Sequence, residues 1–177
     1  MRIVAGKFAG KDLSSPSDFR VRPTAEHVRA GLLDLLADDL KDASCLDLFA
    51  GTGALGLEAI SRGARRCDFV ETRPSSLAAL KSNVVKFRLK ERTRIFKKDA
   101  LPFAAQLNEG AYDLVFCDPP YESKMLDRVI EAWQARKFTK VLAVEHAAKH
   151  KLPKGALSRT FEDSAITIYR LAEAAAK

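Results

Sequence analysis

The sequence predicts one α/β domain: a mostly parallel seven-stranded sheet, covered by helices on both faces and closed by an antiparallel hairpin. Three observations carry this. After Lys41, apolar runs of strand length alternate with segments of helical spacing. The first run opens into Gly51-x-Gly53-x-x-Gly56, a turn that lets the backbone approach a ligand closely before a helix begins. The chain then ends on two consecutive strand-like stretches, ALSRTFED and AITIYRLA, which suit a hairpin at the sheet edge.

Taken in order, the opening RIVAGKFAGKDLSSPSDFRVRP is punctuated by glycine and predicts a small β-hairpin with Gly6 and Gly10 at turns and Pro16 in a loop. Thr24 is a natural cap for a helix through AEHVRAGLLDLLADDL, where Val28, Leu32, Leu35 and Leu36 recur at helical spacing. CLDLFA, CDFVE, TRIFKK, YDLVFCD and VLAVEH predict the parallel strands. Helices are predicted from Ala54, from Pro74 to Phe87, from Leu101, and from Lys124 to Ala135. Residues 1–40 therefore read as an N-terminal extension of hairpin and helix, and residues 41–177 as the domain proper.

A chain of 177 residues is long enough to bury one proper core, with little room for a second. Its net charge of +7 leans toward a polyanionic partner, most simply nucleic acid. Cys45, Cys67 and Cys117 each lie in or beside an apolar run and form no CxxC pair or Cys/His cluster. They predict buried thiols in a reducing compartment, with no metal site and no disulfide framework. The N-terminus lacks a long apolar segment and no stretch is long enough to span a bilayer, so the expected location is the cytoplasm.

In open α/β sheets the ligand lies beyond the carboxyl ends of the strands, so strand-ending residues carry the information. The first predicted strand ends at Asp47–Phe49, the second at Glu71, placed for ribose hydroxyls, and the third near Asp99, within reach of an adenine amine. Three strand-end acids around a glycine turn suit an adenosine without a pyrophosphate, and Asp47 suits an ammonium group better than a diphosphate. This favours S-adenosylmethionine over a nicotinamide dinucleotide.

The fourth predicted strand ends in Asp118-Pro119-Pro120-Tyr121, which matches the [N/D/S]-P-P-[Y/F/W] signature of methyltransferases acting on amine nitrogens of bases. An exocyclic amine lends its lone pair to the ring and is a poor nucleophile. Acceptors that hold its N–H hydrogens turn the lone pair toward the methyl group, and the Asp118 carboxylate and Pro119 carbonyl are such acceptors. Tyr121 offers a flat face for an extruded base.

With these residues in view, the sequence resembles the RsmD family, which methylates a guanine N2 in small-subunit ribosomal RNA. RIVAGKFAGKDL, RPTAEHVR (Arg22 to Arg29), LDLFAGTGALGLEAISRGA (Leu46 to Ala64), DPPY and AITIYR carry the resemblance over nearly the whole chain. It implies a Rossmann-like S-adenosylmethionine-dependent fold and a cofactor site at Asp47, Phe49, Gly51, Gly53, Glu71, Asp99 and Ala100. It further implies chemistry at Asp118, Pro119 and Tyr121, and contacts to 16S ribosomal RNA by a monomer within a small ribosomal subunit or assembly intermediate. The basic extension, with Arg2, Lys7, Lys11, Arg20, Arg22 and Arg29, is expected to grip RNA phosphates, with Thr24 in the same segment. Ala30, Leu33 and Asp34 depart from the family's V-R-E-x-x-F-N, and Thr72-Arg73 follows Glu71 where an acid is common. Lys86, Arg88, Lys90, Arg92 and Arg94 fall at the far edge of the sheet and read as a solvated rim.

Three other functions compete with this reading. An adenine-N6 methyltransferase shares DPPY, although a chain this short has little surface for reading DNA sequence. An idle RNA-binding assembly factor would not need an intact DPPY and glycine turn. A nicotinamide dehydrogenase would need a proton relay, and His27, His146 and His150 show no partner pattern.

Overall fold

The computed structural model describes residues 1–16, 25–121 and 124–172. Its strands are β1 (Ser44–Asp47), β2 (Arg66–Val70), β3 (Thr93–Phe96), β4 (Tyr112–Cys117), β5 (Thr139–Ala147), β6 (Leu157–Phe161) and β7 (Ser164–Arg170). They form one sheet in the order β3-β2-β1-β4-β5-β7-β6. The first five are parallel, and β7 runs antiparallel to both β5 and β6. The fold predicted from the sequence is present, including the closing hairpin.

Helices α1 (Glu26–Leu35), α2 (Ala37–Leu40), α3 (Ala54–Ser61), α4 (Pro74–Lys86), α5 (Ala100–Ala105) and α6 (Met125–Arg136) cover the two faces. Successive strand residues point to opposite sides of a sheet, and the core divides accordingly. Cys45, Phe69, Leu114 and Ala143 face α1, α3 and α4, whereas Leu46, Val70, Val115 and Val144 face α5 and α6. All three cysteines are buried and unpaired, and burial pushes the Cys45 thiol up to about 12. Among the described residues, no helix is long and apolar enough to cross a membrane.

The extension packs onto the first of these layers. Ile3, Phe8 and Leu13 share a core cluster with Leu32, Leu57 and Phe69. Its hairpin forms with one bridge, Arg2 to Asp12, instead of regular strands, closed by Ile3 N–H to Lys11 O at 2.9 Å and Leu13 N–H to Met1 O at 2.9 Å. The helix expected as continuous through Leu40 is broken. Leu36, fully buried with ψ 13°, separates α1 from α2, and its carbonyl accepts the N–H groups of both Asp39 and Leu40. Core burial of Leu36 overrides the local preference for one straight helix.

The basic rim is exposed at Lys86, Arg88, Lys90 and Arg94, and three of its members also make bonds within the fold. Arg94 pairs with buried Asp68 at 2.6 Å, Arg92 donates to the carbonyls of Ala64 and Arg65, and Lys86 donates to Asp12 O. Arg94 thus joins β3 to β2, Arg92 binds the turn before β2, and Lys86 ties the end of α4 to the N-terminal hairpin.

Candidate active site

The strand order reverses between β1 and β4, which opens a crevice at their carboxyl ends. Register aligns the strand-end residues there. Asp47 pairs with Phe69 of β2 and with Phe116 of β4. Phe49, Glu71 and Asp118 each lie two residues beyond that line in sequence, just past the ends of three neighbouring strands.

Each glycine of the turn has its own reason. Gly51 has φ +54° and an added Cβ there would meet nothing within 4 Å, so the chain is strained for any other residue and open toward the crevice. Gly53 has φ +80° and caps α3, and a Cβ would lie 2.4 Å from Leu80. Gly56 lets α3 settle on β2, since a Cβ would lie 2.5 Å from the Phe69 ring.

Glu71 braces this turn from the next strand. Its Oε2 accepts the Gly51 N–H at 2.8 Å, and its Oε1 accepts the N–H groups of Thr72 and Arg73 at 2.7 and 2.8 Å. A carboxylate has about four acceptor directions, so one remains open on Oε2. Replacing Glu71 by Ala removes both that acceptor and the brace, and cofactor affinity is expected to fall by about 1–3 kcal/mol, as read by calorimetry.

Asp47 holds the turn from beneath. It is 2% exposed, and its carboxylate accepts the Gly56 N–H at 3.2 Å. Burial pushes its carboxyl up to about 7, against the opposing pull of the Gly56 N–H. The sign follows directly. In the unfolded chain the group ionises at its ordinary value near 4, so between about 4 and about 7 the folded state holds the extra proton. Stability therefore falls as pH rises through that window and levels off above it. Asp47→Asn is expected to remove this slope, measured as the urea midpoint of variant and parent across the window.

Asp99 is the N-cap of α5, its Oδ1 accepting the Leu101 N–H at 2.9 Å, and Ala100 begins the helix. Asp118 and Pro119 follow β4 directly, Asp118 half-buried and Pro119 buried. The Tyr121 hydroxyl donates to Glu145 Oε1 at 2.7 Å, and burial together with that carboxylate raises the phenol well above its ordinary range. Tyr121 is thus a neutral ring pinned at its outer end.

Arg29 does not stand where an RNA contact requires. Its side chain is fully buried, its Nε donates to Glu58 Oε2 at 2.9 Å, and a second nitrogen donates to Arg2 O. Glu58 also holds Arg62 and the Val4 N–H. Arg29 is a structural cation that ties α1 to α3 and to the start of the N-terminal hairpin at Arg2. Arg20, Arg22 and Thr24 lie outside the described residues. Sequence reasoning missed both Glu58 and Glu145, although each is a lone acid within an apolar run, AGTGALGLEAI and VLAVEH. His146 and His150 do find partners, at Thr167 (2.9 Å) and Asp127 (3.0 Å), but across elements that the sequence alone does not join.

The family model for Conserved hypothetical protein 95 matches residues 1–167. The chain belongs to this family, the RsmD family. Among RsmD relatives, Ribosomal RNA small subunit methyltransferase D of Escherichia coli K12 is 36% identical over 130 residues, 73% of this chain and 65% of that protein. The protein of the same name from Buchnera aphidicola (Acyrthosiphon pisum strain) is 30% identical over 138 residues, 78% of this chain and 72% of that one. Of the solved structures, a hypothetical protein of Thermus thermophilus superposes with a TM-score of 0.81 at 29% identity, covering 97% of this chain and 99% of that one. An RNA methyltransferase from Salinibacter ruber in complex with S-adenosyl-L-homocysteine shares the fold, with a TM-score of 0.67 at 13% identity over 84% of this chain and 93% of that one. The cofactor of this RsmD-family chain is S-adenosylmethionine. The crevice fits it: open space faces Gly51, and a braced carboxylate stands beside it at Glu71.

Proposed function

We propose that this protein transfers a methyl group from S-adenosylmethionine to the exocyclic N2 amine of a guanine in 16S ribosomal RNA. Family membership supports ribosomal RNA as the substrate, since the Escherichia coli and Buchnera relatives carry that activity in their names. The observation that carries the chemistry is the alignment of Asp118 with Glu71 and the glycine turn across the strand-order reversal.

In this reading Glu71 and the glycine turn hold the ribose, Asp99 and Ala100 meet the adenine, and Asp47 keeps the turn in shape from below. S-adenosylmethionine supplies an electrophilic methyl group on its sulfonium. The Asp118 carboxylate and the Pro119 carbonyl accept the two N–H groups of the amine and turn its lone pair toward the methyl carbon. With the cofactor bound, the Asp118 carboxylate would accept the proton that the amine gives up as it takes the methyl group. Tyr121, pinned by Glu145, stacks on the extruded base.

Lys7 and Lys11, exposed and poised over the Phe8 ring at 5.9 and 5.5 Å, and Arg2, exposed beside Glu26, are cations of the described extension available to phosphate, whereas Arg29 is not. The test incubates the protein with labelled S-adenosylmethionine and small ribosomal subunits lacking the modification, then digests the RNA to nucleosides. Label in N2-methylguanosine is expected. Label in N6-methyladenosine, or in none, overturns the assignment.

A further inference from the structure

Asn83 lies on the inner face of α4 and is completely buried. Its amide is spent on the backbone of two segments far from it in sequence. Oδ1 accepts the Ser14 N–H at 2.7 Å, and Nδ2 donates to Ser14 O and to Thr52 O, each at 3.0 Å. The first two bonds dock the end of the described N-terminal extension as a neighbouring strand would. The third reaches the middle residue of Gly51-Thr52-Gly53.

That peptide is held at both ends. The Thr52 carbonyl is bound by Asn83, and the Gly53 N–H on the other side of the same bond donates to Ala50 O at 2.7 Å. The plane of the Thr52–Gly53 peptide is therefore fixed, and with it the path of the turn beside Gly51. The site demands one acceptor and two donors on a short side chain, which asparagine supplies; aspartate has no donor and serine only one. Packing of the helix does not call for an amide here, because Leu77, Leu80 and Val84 already fill that face.

We propose that Asn83 is a positioning residue for the cofactor turn and that it shares this anchorage with the N-terminal extension, so that cofactor binding and the order of the extension are linked. The inference rests on the reading of the glycine turn as the S-adenosylmethionine site. Coupling of this kind is reciprocal. A cofactor that tightens the turn also tightens the Ser14 bonds, and a change at Ser14 reaches the cofactor although Ser14 lies on another segment.

The full chain and the variants Asn83→Ala, Ser14→Pro and Val84→Ala are titrated with S-adenosylhomocysteine by calorimetry and unfolded in urea. Ser14→Pro deletes the N–H that Asn83 accepts and fixes φ at that residue, while leaving Asn83 itself and its bond to Thr52 in place. Asn83→Ala is expected to weaken binding about tenfold and Ser14→Pro by roughly threefold, in line with the loss of one or more buried hydrogen bonds. Val84→Ala is expected to lower stability while binding as the parent does. In the parent, S-adenosylhomocysteine is expected to slow hydrogen exchange at the Ser14 amide more than at the amides of β6 and β7, whereas global stabilisation alone slows all of them alike. Parent-like affinity in Ser14→Pro together with unchanged exchange at Ser14 overturns the proposal, whether or not Asn83→Ala folds. Absence of binding by the parent itself overturns the cofactor reading, and this inference with it.

Discussion

Asp118→Ala is expected to cut the single-turnover methylation rate by about 10²-fold or more at saturating cofactor, by analogy with removal of one preorganised polar partner of a reacting group. Cofactor affinity is expected to stay near that of the parent, because Asp118 follows β4 while the bonds that shape the cofactor turn come from Glu71, Asp47 and Asn83. Tyr121→Phe keeps the ring and loses the hydroxyl with its bond to Glu145, so its defect is expected to be milder than that of Tyr121→Ala. Rapid-quench measurements on the three variants separate the two effects. Near-normal transfer by Asp118→Ala would make DPPY only a stiff turn and would move the chemistry elsewhere.

Glu58→Ala carries the largest expected cost in stability. Glu58 and Arg29 are both fully buried, 2.9 Å apart, and Glu58 also receives Arg62 and the Val4 N–H. Removing the acid strands a buried guanidinium, a loss of about 3–5 kcal/mol, which for a chain of this size lowers Tm on the order of 10 °C. Arg29→Met is expected to cost less, because Glu58 keeps Arg62 and the incoming side chain fills much of the same space. Thermal and urea unfolding check both. If instead these variants unfold as the parent does and lose only RNA affinity, Arg29 belongs to the substrate face after all.

The strands and the glycine turn were legible because each is a local pattern: an apolar run, then a turn that only glycine can make. Strand-end acids followed from the general rule about where parallel sheets bind ligands, which needs no contact map. Arg29 was misread because a cation in a basic segment resembles a phosphate contact. A signal was nonetheless present, since Arg29 stands three, four and seven residues before Leu32, Leu33 and Leu36, on the apolar stripe of its own helix. Its partner Glu58 lies in a different helix, and the pairing exists only once α1 is laid against α3. The pairs Tyr121–Glu145 and Asn83–Thr52 are hidden for the same reason, each joining segments that meet only in the folded chain.

The place of β7 in the sheet has a consequence for synthesis of the chain. β5 is the longest strand, and one of its edges is paired by β7, whose residues, 164–170, are made well after it. Until they emerge, β5 presents an unpaired edge on a strand whose residues 141–146 are all buried in the fold, and β6, which pairs with β7 and not with β5, has nothing to dock on. A nascent chain stalled or cut between residues 148 and 163 would therefore expose a template for pairing with other chains. Truncation in that interval is the kind most prone to yield aggregates, whereas losing residues beyond Leu171 leaves every strand of the sheet in place.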